Sequence, residues 1–162
     1  MKKLILDGYN VIHHLPKLSK HLEPDFEFAR TVLANFMIVW KSEHRYNGRI
    51  TIVFDGNGPS NKSEIIDNIE CIYSKSGQSA DDCIIYMVKN THNTKEVTVV
   101  SNDNKIKNAC ISLGAVAETP IFLLKSPKTY CRKLKNIKSS NEISSAQKNE
   151  INSFLIEKWN IK

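Results

Sequence analysis

The stretch KLILDGYNVIHHLP, residues 3–16, opens the chain with strand-type residues that run directly into Asp7. Burying a carboxylate costs free energy unless a partner compensates its charge. Gly8 and Asn10 follow in the next few positions. The pattern predicts a strand over residues 2–6 that ends at a carboxylate in need of a partner, with the next helix expected far downstream.

Strand and helix patterns alternate along the rest of the chain. Apolar runs predict strands over 49–54, 69–74, 96–101 and 115–118. Apolar residues at helical spacing predict helices over 25–43, from Ser79 onward and over 103–113. Strands that are apolar on both faces and separated by helices are typical of a parallel sheet covered on both sides. The expected fold is therefore α/β with three layers, around a mostly parallel sheet of about four or five strands.

The composition is that of an ordinary water-soluble domain. The chain has 162 residues, of which 41 % are hydrophobic and 25 % charged. It contains no apolar run of the roughly 18 residues that a membrane span needs, and its N-terminus does not resemble a signal peptide. The cysteines are widely spaced and include no CxxC motif, which favours free thiols and a reducing, cytoplasmic location. They are Cys71, Cys83, Cys110 and Cys131.

A basic segment lies near the C-terminus. Residues 125–138, KSPKTYCRKLKNIK, contain six basic residues and no acid, which equals the whole net charge of +6. The basic residues are Lys125, Lys128, Arg132, Lys133, Lys135 and Lys138. Such a segment is either a solvated helix face or a stripe that contacts phosphates. Tyr130 within it is available to stack on a base.

The region after Pro120 has a weaker pattern. IFLL, residues 121–124, fits a strand or a helix equally, while 127–137 and 144–160 have helical patterns. We therefore expect one domain over residues 1–125 and a basic, helical extension over 126–162, packed on or beside that domain.

Acidic side chains follow the predicted strands, at the ends that meet along one edge of a parallel sheet. Ligands bind at this edge in such folds. The acids are Asp7, Asp55, Asp81, Asp82 and Asp103, and Asn10 lies in the first of these loops. Each Asp alone could be a helix cap or a turn residue, Asp82 most easily. Convergence of all of them is harder to explain by capping.

Clustered carboxylates repel one another unless a cation neutralises them. Oxygen ligands without His or Cys favour Mg²⁺ or Mn²⁺ over zinc. Such a site is suited to phosphodiester hydrolysis. Motifs of other classes are missing: there is no GxGxxG after the first strand, no P-loop and no HExxH. Tyr9 stands where an aspartyl phosphatase would carry its second Asp. His13 and His14 lie near the site, but surface histidines are the simpler interpretation.

Four segments in order, LILDGYNVI, TIVFDG, SGQSADDCI and VVSND, resemble those of the NYN-domain ribonucleases, in the YacP-like branch of the PIN-like nuclease fold. The resemblance extends over about residues 3–118. It implies a metal-dependent endoribonuclease that acts on single-stranded RNA. Lys107 stands where related nucleases often carry a further acid, which leaves open whether one or two metals bind.

The resemblance also implies roles for individual residues. Asp7, Asp81 and Asp103 would be metal ligands, and Asp55 matches an Asp that this branch places after its second strand. Asn10 would orient water or phosphate, Asp82 would support the metal or a water, and Ser101 would orient Asp103 by a hydrogen bond.

Three hypotheses follow. The first is a Mg²⁺- or Mn²⁺-dependent endoribonuclease on single-stranded RNA, whose backbone the basic segment would contact. Messenger RNA and the ribosome are open as substrate and partner, and the oligomeric state is open as well. The second is a non-catalytic RNA- or ribosome-binding module, whose binding would survive EDTA and depend mainly on salt. The third is a small-molecule phosphatase or receiver-like domain.

Overall fold

The sheet of this protein is built around its first strand. A computed structural model describes residues 1–19, 26–56, 63–74 and 77–125. The strands are β1 (Lys3–Asp7), β2 (Arg49–Phe54), β3 (Glu64–Ile66), β4 (Ile69–Tyr73), β5 (Val97–Val100) and β6 (Val116–Glu118). The helices are α1 (Gly8–His14), α2 (Pro16–Ser19), α3 (Phe26–Glu43), α4 (Ala80–Lys89) and α5 (Asn104–Ser112), with 3₁₀ helices at Thr94–Glu96 and Pro120–Leu124.

The six strands lie in the order β3-β4-β2-β1-β5-β6, and all neighbours are parallel except β3 and β4. The chain first builds the sheet on the β2 side of β1 and then crosses to the β5 side. This places a topological switch point at the carboxyl end of β1, where α/β sheets form ligand crevices. The expected α/β fold with a mostly parallel sheet is confirmed.

The two faces of the sheet pack on different helices. Ile5, Val53 and Val99 lie in one buried cluster with Ile84 of α4 and Ile106 of α5. Residues at the alternate positions, such as Leu6 and Phe54, point to the other face because side chains alternate along a strand. That face is covered by α1 and α3, which contact β2 and β4.

The structure corrects or completes the local predictions at three places. Helix α1 begins directly after Asp7, so the expectation that the next helix starts far downstream was wrong. The β3 strand was not predicted, because three residues on a sheet edge give too short a pattern to detect. Residues 121–124, left open between strand and helix, belong to a 3₁₀ helix that begins at Pro120. The predicted extension over 126–162 lies outside the described residues.

The start of α1 packs directly on the end of β2. A Cβ added at Gly8 would lie 2.4 Å from two ring carbons of Phe54 and 3.0 Å from the Val53 carbonyl oxygen. The Phe54 ring is fully buried, so moving it away would require neighbouring core side chains to shift. Glycine at position 8 therefore permits the close contact between α1 and β2.

We expect Gly8→Ala to lower the free energy of unfolding by about 1–3 kcal/mol, the usual cost of overpacking a core. Chemical denaturation measures this loss. Phe54→Leu in the same chain should recover part of it, because the shorter side chain makes room for the added methyl group. A Gly8→Ala variant as stable as the wild type would contradict this packing.

Candidate metal and RNA-cleavage site

Asp7 is a buried carboxylate at the carboxyl end of the central strand. Its side chain is 8 % exposed and accepts a 2.9 Å hydrogen bond from Ser101 Oγ to Oδ2. Asp7 occupies the N-cap position of α1, but its side chain makes no capping hydrogen bond. The Asn10 backbone N–H, in the first turn of α1, favours the charged form of Asp7 as in a cap, whereas burial and the Ser101 hydrogen bond are not explained by capping.

The environment of Asp7 disfavours its charged form. The pKa of Asp7 is raised from 3.8 to about 6, mainly by burial and to a smaller extent by the negative charges of Asp81 and Asp103. The hydrogen bond from the Ser101 side chain and the contact with the Asn10 backbone N–H lower the pKa of Asp7. A cation beside Asp7 would remove this penalty.

Ser101 connects the ends of β1 and β5. Its fully buried hydroxyl donates to Asp7 and accepts a 3.0 Å hydrogen bond from the Asp103 N–H. The predicted link between Ser101 and Asp103 is thus a contact to the backbone of Asp103. It holds the turn that carries Asp103 close to Asp7.

Asp81, in the first turn of α4, and Asp103, directly before α5, interact electrostatically with Asp7. Burial raises the pKa of Asp81, and Asp103 is the next largest cause, while Lys105 lowers it. Asp103 is also the N-cap of α5, and its Oδ1 accepts a 2.6 Å hydrogen bond from the Lys105 N–H. Capping uses one of its oxygens, so the capping and ligand interpretations of Asp103 are compatible.

Asp55 and Asp82 lie at the periphery of this group. Asp55 is exposed and accepts a 2.8 Å hydrogen bond from Ser74 Oγ. Asp82 is exposed and forms a capping pair with Ser79, whose hydroxyl donates to Asp82 Oδ2 and accepts from the Asp82 N–H. Both raise the pKa of Asp81 through their charge. The contacts of Asp82 match the capping alternative.

Asn10 holds the loop that follows β5. Its Oδ1 accepts a 2.7 Å hydrogen bond from the Asn102 N–H, so this oxygen is engaged by the protein itself. His14, one turn later in α1, lies 2.8 Å through Nδ1 from the Asn10 carbonyl oxygen and 2.9 Å through Nε2 from Asn102 Nδ2. His14 and Asn102 were not among the predicted site residues. The i, i+4 spacing of Asn10 and His14 would have indicated His14 had α1 been recognised, whereas Asn102 depends on a contact between distant segments.

The basic segment is described only at its first residue. Lys125 is exposed, and its ammonium group lies 5.7 Å from the centre of the Phe122 ring. The other predicted RNA contacts, Lys128, Arg132, Lys133 and Lys135, lie outside the described residues, as does Tyr130.

The acids are of the chemical type that a hard cation prefers, carboxylate oxygens without His or Cys. Within residues 1–19, 26–56, 63–74 and 77–125, no three Asp, Glu, His or Cys side chains are arranged to hold a metal ion directly. Mg²⁺ usually takes only one or two protein carboxylates and completes its shell with waters and substrate phosphates. A set of Asp oxygens around the disfavoured charge of Asp7 matches that mode of binding.

The fold and the sequence define the family. Residues 4–161 match the YacP-like NYN domain, and the chain belongs to this family. The family and its relatives indicate a nuclease-like fold, as the resemblance implied.

Individual relatives come from Bacillus subtilis. The protein of strain 168 described as "Uncharacterized protein YacP" is 29 % identical over 138 residues, which are 83 % of this chain and 79 % of the relative. The crystal structure of Rae1 (YacP) is 25 % identical with a TM-score of 0.66, over 99 % of this chain and 85 % of that one. Its W164L mutant is 26 % identical with a TM-score of 0.61, over 76 % and 72 %.

Among the helices of the described part of the chain, none has both the length and the apolar character that a membrane-spanning segment needs.

Proposed function

We propose that this protein is a divalent-metal-dependent endoribonuclease that hydrolyses phosphodiester bonds in single-stranded RNA. The observation that carries the proposal is the buried carboxylate of Asp7, with its pKa raised to about 6, beside the charges of Asp81 and Asp103. A buried carboxylate beside other negative charges destabilises the fold. Groups with strongly shifted pKa values cluster at functional sites, where the chemistry requires them. Membership of the NYN family supports a nuclease over the other two hypotheses.

Asp7, Asp81 and Asp103 would hold Mg²⁺ or Mn²⁺, with Asp55 and Asp82 acting from the periphery through their charge or through bound water. The metal, when bound, activates a water molecule and stabilises the negative charge that develops on the phosphate. Ser101 keeps the Asp7 carboxylate in place by its hydrogen bond to Oδ2. Asn10 fixes the loop before Asp103 through the Asn102 N–H.

The test is incubation of the purified protein with mixed-sequence single-stranded RNA, in Mn²⁺, in Mg²⁺ and in EDTA. We expect internal cleavage with metal and none in EDTA. A generic phosphate monoester should not be hydrolysed, and its hydrolysis would favour the phosphatase hypothesis. RNA binding that persists in EDTA without cleavage under any condition would favour the non-catalytic RNA- or ribosome-binding module.

A cytoplasmic location and a role for the basic segment along the RNA backbone belong to the same proposal. Both follow from the sequence, through its free-thiol cysteines and its clustered charge.

A further inference from the structure

A second cluster lies at the same edge of the sheet as the acids. The guanidinium of Arg30, from α3, lies 5.1 Å from the centre of the Tyr73 ring and 5.7 Å from those of Tyr9 and Phe54. Its Nε donates a 2.8 Å hydrogen bond to the Tyr9 hydroxyl. We call these four residues the arginine–aromatic cluster.

Arg30 is half-buried, and no carboxylate among the described residues pairs with it. Stacking on the rings offsets part of the cost of removing its charge from water. The hydrogen bond to Tyr9 engages Nε, and no hydrogen bond joins the terminal nitrogens to another described residue; these nitrogens are suited to bidentate contact with a phosphate. A guanidinium that has no carboxylate partner in the described part of the chain points to an anionic ligand.

The members of the cluster are chain neighbours of the acids. Tyr9 lies between Asp7 and Asn10, and Phe54 directly precedes Asp55. Tyr73 precedes Ser74, which donates a hydrogen bond to Asp55. Phe54 is the last residue of β2 and points to the α1–α3 face of the sheet, and Asp55 follows it in the bend that leaves the strand. A strand of RNA that crosses this edge would meet both groups.

An exposed ring extends the cluster toward solvent. Phe26 packs edge-on against Tyr9 with ring centres 5.6 Å apart, and its side chain is 59 % exposed. Proteins that bind single-stranded nucleic acid combine cationic groups for the phosphates with aromatic faces for the bases. Arg30 and Phe26 supply one of each.

We propose that the arginine–aromatic cluster is an RNA-binding subsite in which Arg30 contacts a backbone phosphate close to the reacting one, while Phe26 stacks on the adjoining base. The proposal rests on the proposed function, since it assumes RNA as the ligand of the neighbouring acids. Tyr9 is a positioning residue in this subsite, because it acts through the orientation of Arg30.

The test measures binding of a fluorescent single-stranded RNA in EDTA, where cleavage is not expected, over a range of salt concentrations. We expect Arg30→Gln to weaken binding about tenfold. The negative slope of log affinity against log salt should become shallower by about 0.7, the value for one phosphate contact on a single strand. Phe26→Ala should weaken binding without changing that slope, because stacking releases no counterions.

Three further variants separate binding from a structural role. Arg49→Gln removes one exposed positive charge at the opposite edge of the sheet and should bind like the wild type. Arg30→Lys keeps the charge and should keep the salt slope, which also covers the case in which Arg30→Gln does not fold. Tyr9→Phe should weaken binding alone but add nothing in the Arg30→Gln chain, as expected for a residue that acts through Arg30.

An Arg30→Gln variant that folds and binds RNA with wild-type affinity and salt slope would overturn the proposal. So would a wild type that does not bind RNA in low salt, or loss of the salt slope in Arg30→Lys. Because this assay needs no metal, it can fail while the metal-dependent cleavage assay succeeds, and the reverse is equally possible.

Discussion

Replacing Asp7 with Asn is expected to lower metal-dependent cleavage of single-stranded RNA by at least about a thousandfold. Such a loss corresponds to about 4 kcal/mol of transition-state stabilisation. The amide has nearly the shape of the carboxylate but lacks the charge that a cation requires. Ser101 can still donate its hydrogen bond to the amide oxygen, so the variant should fold. Initial rates in saturating Mn²⁺ measure the loss, and circular dichroism verifies the fold.

Asp67→Asn is the matched control for this experiment. Asp67 is an exposed acid in the turn between β3 and β4, next to the starting end of β4 and therefore at the opposite edge of the sheet. The same chemical change at this position should leave cleavage within about twofold of the wild type, as is usual for surface sites. Full activity of the Asp7→Asn variant would show that cleavage does not need Asp7 as a metal ligand.

The second large effect concerns stability and depends on pH. The pKa of Asp7 is about 6 in the folded protein against an ordinary value of 3.8, so between these values the folded state retains a proton that the unfolded state has lost. Stability must then fall as the pH rises through this window. At about 1.4 kcal/mol per pKa unit, ionised Asp7 costs the metal-free fold about 3 kcal/mol above pH 6.

Asp7→Asn removes this cost. We therefore expect the difference in unfolding free energy between the variant and the wild type to change with pH. In EDTA, it should shift by about 2 kcal/mol in favour of the variant when the pH is raised from 4 to 7.5. Urea denaturation at the two pH values measures the gain, with Asp67→Asn as the control for the loss of one carboxylate. A difference between variant and wild type that does not change with pH would show that Asp7 is not a strained carboxylate.

The placement of the acids could be predicted from the sequence because it follows from the topology of the sheet. Once the apolar runs are assigned to parallel strands, the residues that follow them must meet at one edge. Asp7, Asp81 and Asp103 interact electrostatically there, as expected from their positions after β1, before α4 and before α5. Predicting that these acids meet at one edge required no knowledge of contacts between residues far apart in the chain.

The hydrogen bonds that organise the edge could not be predicted in the same way. The α1 helix has seven residues, too few to give a clear period, so the pairing of Asn10 and His14 with Asn102 was missed. Arg30 was assigned to a helix, but its contact with Tyr9 depends on how α3 packs on the sheet. Contacts of this kind arise from tertiary packing, which local patterns do not contain.

The central claim is that Asp7, Asp81 and Asp103 share a divalent cation. Titration of the wild-type protein with Mn²⁺ in the absence of RNA, with the heat of binding measured by calorimetry, tests it directly. We expect saturable binding at a site that is lost in Asp7→Asn, weakened in Asp81→Asn and Asp103→Asn, and retained in Asp67→Asn. Mn²⁺ binding that is equally strong in the wild type and in Asp7→Asn, or no binding to the wild type at all, would contradict it.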